Sequence, residues 1–345
     1  MNILIDIGHP AHVHLFARAA KIWQGKGHQV LFTIRNRPMV PELLEALHFQ
    51  YSIASTPRTG VIGQAVELLE HDWQVFCAAR RFRADIMLGT SVSITHVSKL
   101  TPARSVVFNE DDADYIKPFA YLAYPFADAI VIPACLRDKK TNKHYTYEGY
   151  HELAYLHPNQ FTPDPAIFSE LGMKDGEPYF ILRLVAFKAH HDTGQRGLSI
   201  NAQRKLINLL NQYGKVFITN EGKLPEEFRP YQLPIPPHRI HHALYYAKML
   251  ISDGQTMTIE AAVLGTPSIR CNTFIGKCSV IEELEHKYQL TFGFLPNEEN
   301  KMLDKITLLL KLPDLQQEWA YRREKMLSEK VDLTSWMVNF IDKFE

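Results

Sequence analysis

The sequence is poor in the features that mark specialised protein classes. Its 345 residues include only four cysteines. Cys77, Cys135, Cys271 and Cys278 are scattered, and Cys271 and Cys278 match no common zinc spacing. Neither a disulfide framework nor a structural metal is expected, and the pattern fits a reduced, cytoplasmic protein. An excess of one charge is also missing. Lys+Arg is 38 and Asp+Glu is 38, so no general nucleic-acid binding is expected. No uncharged apolar run reaches the ~18 residues of a membrane-spanning helix. Low-complexity tracts and internal repeats are absent. So is the G-x-G-x-x-G fingerprint of dinucleotide enzymes after the first strand.

What remains is an ordinary globular composition in a chain long enough for about two domains. Residues 2–7 read as a first strand rather than a signal peptide, because Asp6 interrupts the apolar run. Further β-rich runs lie at 29–34, 50–53, 85–88, 105–108 and 128–132. Helical patterns lie between them, clearest at 12–23, 43–47 and 66–81. Such alternation builds a parallel sheet covered on both faces. The stretch HPNQFTPDP then places three prolines within eight residues, which reads as a linker. A second alternation follows, with strands at 179–184, 215–219, 249–252 and 268–270. Its helices are expected at 201–212, 242–247, 256–264 and 280–286. The tail is helical from 297, broken at Pro313 and near Asp332, and ends in an amphipathic piece at 336–344. There Trp336, Phe340 and Phe344 form a stripe expected to be buried. The chain thus reads as α/β, with two doubly wound Rossmann-like domains at 1–155 and 164–331 and a C-terminal helix at 332–345.

In such sheets ligands bind beyond the carboxyl ends of the strands, so the chemistry is sought in the strand-end loops. The first, Gly8-His9-Pro10-Ala11-His12-Val13-His14, opens a helix with three histidines. A helix N-terminus favours a neutral imidazole, able to act as a general base or to contact a phosphate. Plain turn histidines are the alternative. The second is Ser252-Asp253-Gly254-Gln255 followed by a helix starting near Thr256. Its backbone N–H groups can hold a diphosphate, and Glu260, four residues on, can accept bonds from ribose hydroxyls. An ordinary capped strand–helix unit fits equally well. The third carries Arg183, Lys188, His190 and His191, cations suited to a leaving pyrophosphate or to a solvated basic loop. Asn220-Glu221-Gly222-Lys223 is a weaker donor-side candidate. Asn109-Glu110-Asp111-Asp112-Ala113-Asp114 offers acids for a cation or a proton, but reads more simply as a helix N-terminal device. Arg80, Arg81 and Arg83 close a helix and complement its dipole, with a membrane-surface contact as the sharper reading.

The segment from Ser252 to Pro267 resembles the nucleotide-sugar signature of GT-B glycosyltransferases. The bacterial family that adds N-acetylglucosamine to the lipid-linked peptidoglycan precursor is one well-known form. The resemblance places Glu260 on the ribose-binding glutamate. Ala11-His12-Val13 falls where that family has Gly-His-Val, which places His12 beside the acceptor. Residues 1–35, with GHPAHVHLF and Gly27-His28-Gln29-Val30, are similar to a family of GT-B proteins of unassigned activity, over nearly the whole chain. The loop at Arg183 also weakly resembles the Thr-x-His-Arg stretch of UDP-N-acetylglucosamine 2-epimerases.

The resemblance implies a GT-B fold whose terminal helix packs on the first domain. It implies a metal-independent glycosyltransferase with a nucleotide-sugar donor and a glycan or lipid-linked glycan acceptor. It calls for no cofactor. The cysteine usage puts the protein in the cytoplasm, and the arginines at 80–83 leave the inner membrane face open as a place of peripheral contact. Catalysis would fall to His12. Arg183, Lys188, His190, Asp253, Gly254, Gln255, Thr256 and Glu260 would hold the donor, and His9, His14 and Glu110 would lie on the acceptor side. A UDP-sugar 2-epimerase and a non-catalytic nucleotide-sugar binding protein are the rival readings. Ser-Asp-Gly-Gln in place of Asp-Ser-Gly-Gly weighs against the epimerase.

Overall fold

The computed structural model describes residues 1–185, 197–220, 222 and 224–344. The chain divides into two compact units. The first comprises Met1–Tyr155 and Val331–Glu345, and the second Leu156–Lys330.

The first unit is built on a seven-stranded sheet. Its strands are β1 (Asn2–Ile7), β2 (Gln29–Arg35), β3 (Tyr51–Ser55), β4 (Ile86–Gly89), β5 (Arg104–Phe108), β6 (Ala129–Pro133) and β7 (His144–Tyr147). They run in the order β3-β2-β1-β4-β5-β6-β7, and every pairing is parallel. The central strands are buried nearly throughout, which explains their continuous apolar runs. The order reverses between β1 and β4, and that is the topological switch point. Gly89 sits there because a Cβ would meet the Asp6 carbonyl oxygen at 2.4 Å. The helix Pro10–Gly25 follows β1 with Pro10 in its first turn, where a missing N–H costs nothing.

The helix Leu333–Asp342 packs within this unit. The Trp336 ring lies 5.4 Å from that of Tyr147, and Phe340 lies 4.9 Å from Tyr145. The expected burial of its aromatic stripe is corrected. Leu333, Met337, Val338 and Ile341 form the buried face, while Trp336, Phe340 and Phe344 are half-buried. Their rings are wide enough to cover the edge strand β7 from its rim.

The second unit has a five-stranded parallel sheet of β8 (Tyr179–Leu184), β9 (Lys215–Asn220), β10 (Met249–Ser252), β11 (Ser268–Cys271) and β12 (Thr291–Phe294). The order is β12-β11-β10-β8-β9, so its switch point lies between β8 and β10. The helix Thr256–Leu264 leaves β10 and ends at Gly265, whose φ is +81°, as a left-handed cap requires. The edge strands β7 and β12 were not expected from sequence. The helix Gly60–Phe82 also begins earlier than its pattern, despite Gly60 and Gly63. Among the described residues no helix is long and apolar enough to cross a membrane.

Candidate active site

The first unit places His9 and His12 at the start of the helix that follows β1, beside the switch point. His9 caps the helix, its Nδ1 accepting from the Ala11 N–H at 3.2 Å. His12 is half-buried, and the Thr90 hydroxyl, just past β4, lies 2.6 Å from its Nδ1. Burial holds the His12 pKa well below the ordinary value, and His9, His151 and Arg37 push the same way. The imidazole is therefore neutral at physiological pH. The helix start contributes the position, while desolvation first, and the basic groups nearby second, lower the pKa. The His14 ring packs 5.2 Å from Tyr155.

Beneath His12 runs a buried network that sequence reasoning missed. Asp6, in β1, accepts from the Thr33 hydroxyl at 2.6 Å and faces His71 Nε2 at 3.0 Å. His71 Nδ1 lies 2.7 Å from the Ser55 hydroxyl. Burial alone would raise Asp6, but His71, Ser91 and Thr33 together hold it below the usual carboxylate value. Burial likewise opposes charge on His71, and Asp6 overcomes it, so the His71 pKa is raised. The two form an ion pair whose Ser91 contact reaches the segment carrying Thr90.

The acidic stretch after β5 behaves differently from the helix-capping expectation. No helix starts at 110–114. Asp112 instead accepts from the Arg137 N–H at 2.9 Å, and Asp138 accepts from the Ala113 N–H at 2.7 Å. These two bonds tie the loop after β5 to the loop after β6. Asp111 is pushed up to about 7, by burial first and then by Glu110. Glu110 Oε2 lies 3.3 Å from Nδ1 of His151, a buried residue four positions beyond β7. Nothing in the sequence flagged His151, because its partner is 41 residues away and no motif joins them.

In the second unit the loop after β10 serves as a brace. Asp253 Oδ1 accepts from the Val185 N–H at 2.7 Å, and its carbonyl accepts from Asn272 at 2.9 Å. Burial drives the Asp253 pKa up to about 7, against the pull of the Val185 N–H, Arg183 and the Leu198 N–H. Gly254 passes close to β8, since a Cβ there would meet Val185 Cγ1 at 2.9 Å. Gln255 precedes the helix at Thr256 and makes no side-chain cap bond. Arg183 donates to the Thr219 hydroxyl at 3.3 Å. Glu260 is buried rather than solvated, and its Oε1 lies 3.0 Å from His241 Nε2. Lys188, His190 and His191 lie outside the described residues, as do Glu221 and Lys223. Sequence reasoning also missed Arg270, in β11. It is fully buried, its three guanidinium nitrogens make no hydrogen bond among the described residues, and Glu282 stands 3.9 Å away.

The model of a family described as "Protein of unknown function (DUF354)" matches residues 1–281. A relative, the uncharacterized protein MJ0665 of Methanocaldococcus jannaschii, is 23% identical over 290 residues, 79% of this chain and 82% of that protein. Among solved structures, the glycotransferase of kitacinnamycin matches with a TM-score of 0.68 at 12% identity, covering 99% of this chain and 98% of that one. The structure of S. aureus MnaA with UDP matches with a TM-score of 0.68 at 12% identity, covering 99% and 96%. These likenesses assign the fold: two parallel α/β units of the GT-B glycosyltransferase type.

Proposed function

We propose a function from the premise that this chain belongs to the family described as a protein of unknown function (DUF354): it moves a sugar from a nucleoside-diphosphate sugar to a hydroxyl of a glycan or lipid-linked glycan. The observation that carries this reading is the His12 imidazole held beside the Thr90 hydroxyl at the β1/β4 switch point, with its pKa lowered by burial. A neutral imidazole there can accept a hydrogen bond from an acceptor hydroxyl, as base or as orienting group. The donor binds the second unit. The close-passing Gly254 loop and the uncapped start of the helix at Thr256 suit a diphosphate, and Arg183 adds charge. His241 orients Glu260 for the ribose. A similar structure contains UDP, which supports a nucleoside diphosphate ligand. In this reading the leaving diphosphate is stabilised by Arg183 and the helix start, and no step calls for a metal.

A lipid-linked acceptor would bring the protein to a membrane surface. Ile62, Leu69 and Trp73 are 81%, 70% and 61% exposed on one face of the helix Gly60–Phe82, whose last turn carries Arg80 and Arg81. Apolar side chains beside arginines suit an anionic bilayer. Co-sedimentation with phosphatidylglycerol vesicles tests this contact, and binding that survives Trp73→Ser with Leu69→Ser removes it.

The donor is tested by thermal shift with UDP-, GDP- and CDP-sugars, followed by product analysis. The correct donor at a hundredfold excess over its Kd stabilises by about 2.7 kcal/mol. Transfer, or slow release of the nucleoside diphosphate, supports the transferase. Interconversion of the sugar identifies a 2-epimerase, and binding without turnover a sensor. No stabilisation by any of them rejects all three.

A further inference from the structure

We propose that His151, backed by Glu110, is the group that takes the proton from the attacking hydroxyl, leaving His12 and Thr90 to orient that hydroxyl. The inference rests on the transferase reading and deepens it by assigning the base. His12 is poorly suited to hold a proton. It is half-buried, and His9, His151 and Arg37 all stand near enough to oppose a positive charge on it. The Thr90 hydroxyl already lies against its ring.

His151 has the complementary equipment. Its Nδ1 faces Glu110 Oε2 at 3.3 Å. The contact is a charge pairing rather than a hydrogen bond, since Glu110 Oε2 has no hydrogen-bond partner among the described residues; a carboxylate on that side still favours the proton at Nδ1 and the lone pair on Nε2. That Nε2 is buried and has no hydrogen-bond partner among the described residues, and the Tyr147 hydroxyl in the same cluster has none either. His151 and Tyr147 are each at least nine-tenths buried. Buried polar atoms without partners are rare in folded proteins and call for a water or a ligand atom. Burial, followed by the nearby Glu110 and Glu152, holds the Tyr147 phenol well above its ordinary pKa. It remains a neutral donor for a second oxygen of the acceptor.

The step balances. The acceptor oxygen forms a bond to the anomeric carbon as the bond from that carbon to the phosphate oxygen breaks. That electron pair leaves on the nucleoside diphosphate. The hydroxyl proton passes to His151 Nε2, and the resulting imidazolium is held by the Glu110 carboxylate. The same geometry accepts water in place of the sugar hydroxyl, so the test needs no acceptor.

The experiment follows nucleoside diphosphate release from UDP-N-acetylglucosamine, UDP-glucose, dTDP-glucose and GDP-mannose. It compares wild type, His151→Ala, His151→Asn and Glu110→Gln, with melting curves for each. Loss of a general base lowers turnover by about 10²–10⁴-fold. We expect that loss in both His151 variants, a smaller loss in Glu110→Gln, and unchanged half-saturation for the sugar nucleotide. Added imidazole should restore His151→Ala in part, which a merely structural role would not allow. Turnover of His151→Ala within about threefold of wild type, or a loss that imidazole does not relieve, overturns the assignment. Should wild type release nothing from any of the four, the transferase reading fails, and this assignment falls with it.

Discussion

Near the first unit's switch point, polar side chains from four strand-end segments meet in two neighbouring pairs: His12 after β1 with Thr90 after β4, and Glu110 after β5 with His151 after β7. At the second unit's, one carboxylate fastens backbone: Asp253, after β10, holds the Val185 N–H just past β8. The first arrangement leaves titratable groups poised and sequence-remote. The second makes a rigid frame of small residues, with Glu260 set into a buried helix face. In the proposed reading, two sheets of related topology divide the work. One presents groups that can exchange protons, and the other presents a shaped backbone that can hold a charged ligand.

The division is sharpened most by exchanging the defects. Glu260→Gln should weaken affinity for the nucleotide that stabilises wild type by about ten- to a hundredfold, because a charge-assisted hydrogen bond is worth about 1.5–3 kcal/mol. His12→Ala should leave the same affinity nearly unchanged in calorimetry. Equal losses in the two variants would erase the distinction.

Glycine substitutions come next. In Gly89→Ala the new methyl meets the Asp6 carbonyl oxygen, which cannot step aside, whereas in Gly254→Ala it meets a valine methyl that can rotate. Overpacking of the first kind costs about 1–3 kcal/mol, or about 2–4 °C per kcal/mol in a unit of this size. Gly254→Ala should cost less, and equal melting temperatures would contradict the contrast.

The third prediction separates the units by pH. Asp253, raised to about 7, favours the fold most below its unfolded pKa of about 3.9. That contribution is lost as pH rises through about 7. Asp6, held low, contributes above about 3.9 and loses its contribution as pH falls further. Its partner His71, held high, contributes below about 6.5 and loses that as pH rises through its folded value. Asp253→Asn keeps the acceptor for Val185 but cannot ionise. Its melting temperature should therefore gain on wild type between pH 5 and pH 8 (about the span Asp253 titrates over). Asp111 adds a like decline in the first unit, so the difference between the two proteins is what is read. Parallel curves would remove Asp253 from the account. The smallest effect is expected at Arg270, where a buried cation with no hydrogen bond among the described residues gains little from its charge. Arg270→Met should melt at or slightly above the wild-type temperature, and a fall of several degrees would show that Glu282 supports it.

The first-unit loop was legible because its parts are contiguous. Gly8–His14 directly follows an apolar strand, and Pro10 marks the helix start. The Ser252–Pro267 unit was legible for the same reason. Thr90 and His151 were not, since the sheet order, rather than any spacing, brings them to His12 and Glu110. The acids after β5 misled, because local logic makes them helix caps, while Asp112 accepts from the Arg137 N–H and the neighbouring Ala113 N–H is taken by Asp138, across two strand ends. The edge strands β7 and β12 have four residues each, too few for a period to show. The C-terminal stripe misled through size: the aromatics are the most conspicuous residues, yet Leu333, Met337, Val338 and Ile341 fill the buried face.

The return of Leu333–Asp342 to the first unit has a consequence for biosynthesis. The chain emerges from the ribosome in order, and domains form as they emerge. Leu156–Lys330 therefore leaves the ribosome ahead of the helix that covers Tyr145 and Tyr147. For that interval the nascent first unit presents an apolar face without its own cover. Its completion must wait for a segment encoded after the entire second unit. A stop codon placed after Lys330 would leave a protein whose second unit is intact and whose first unit is permanently in that earlier state, a natural client for chaperones.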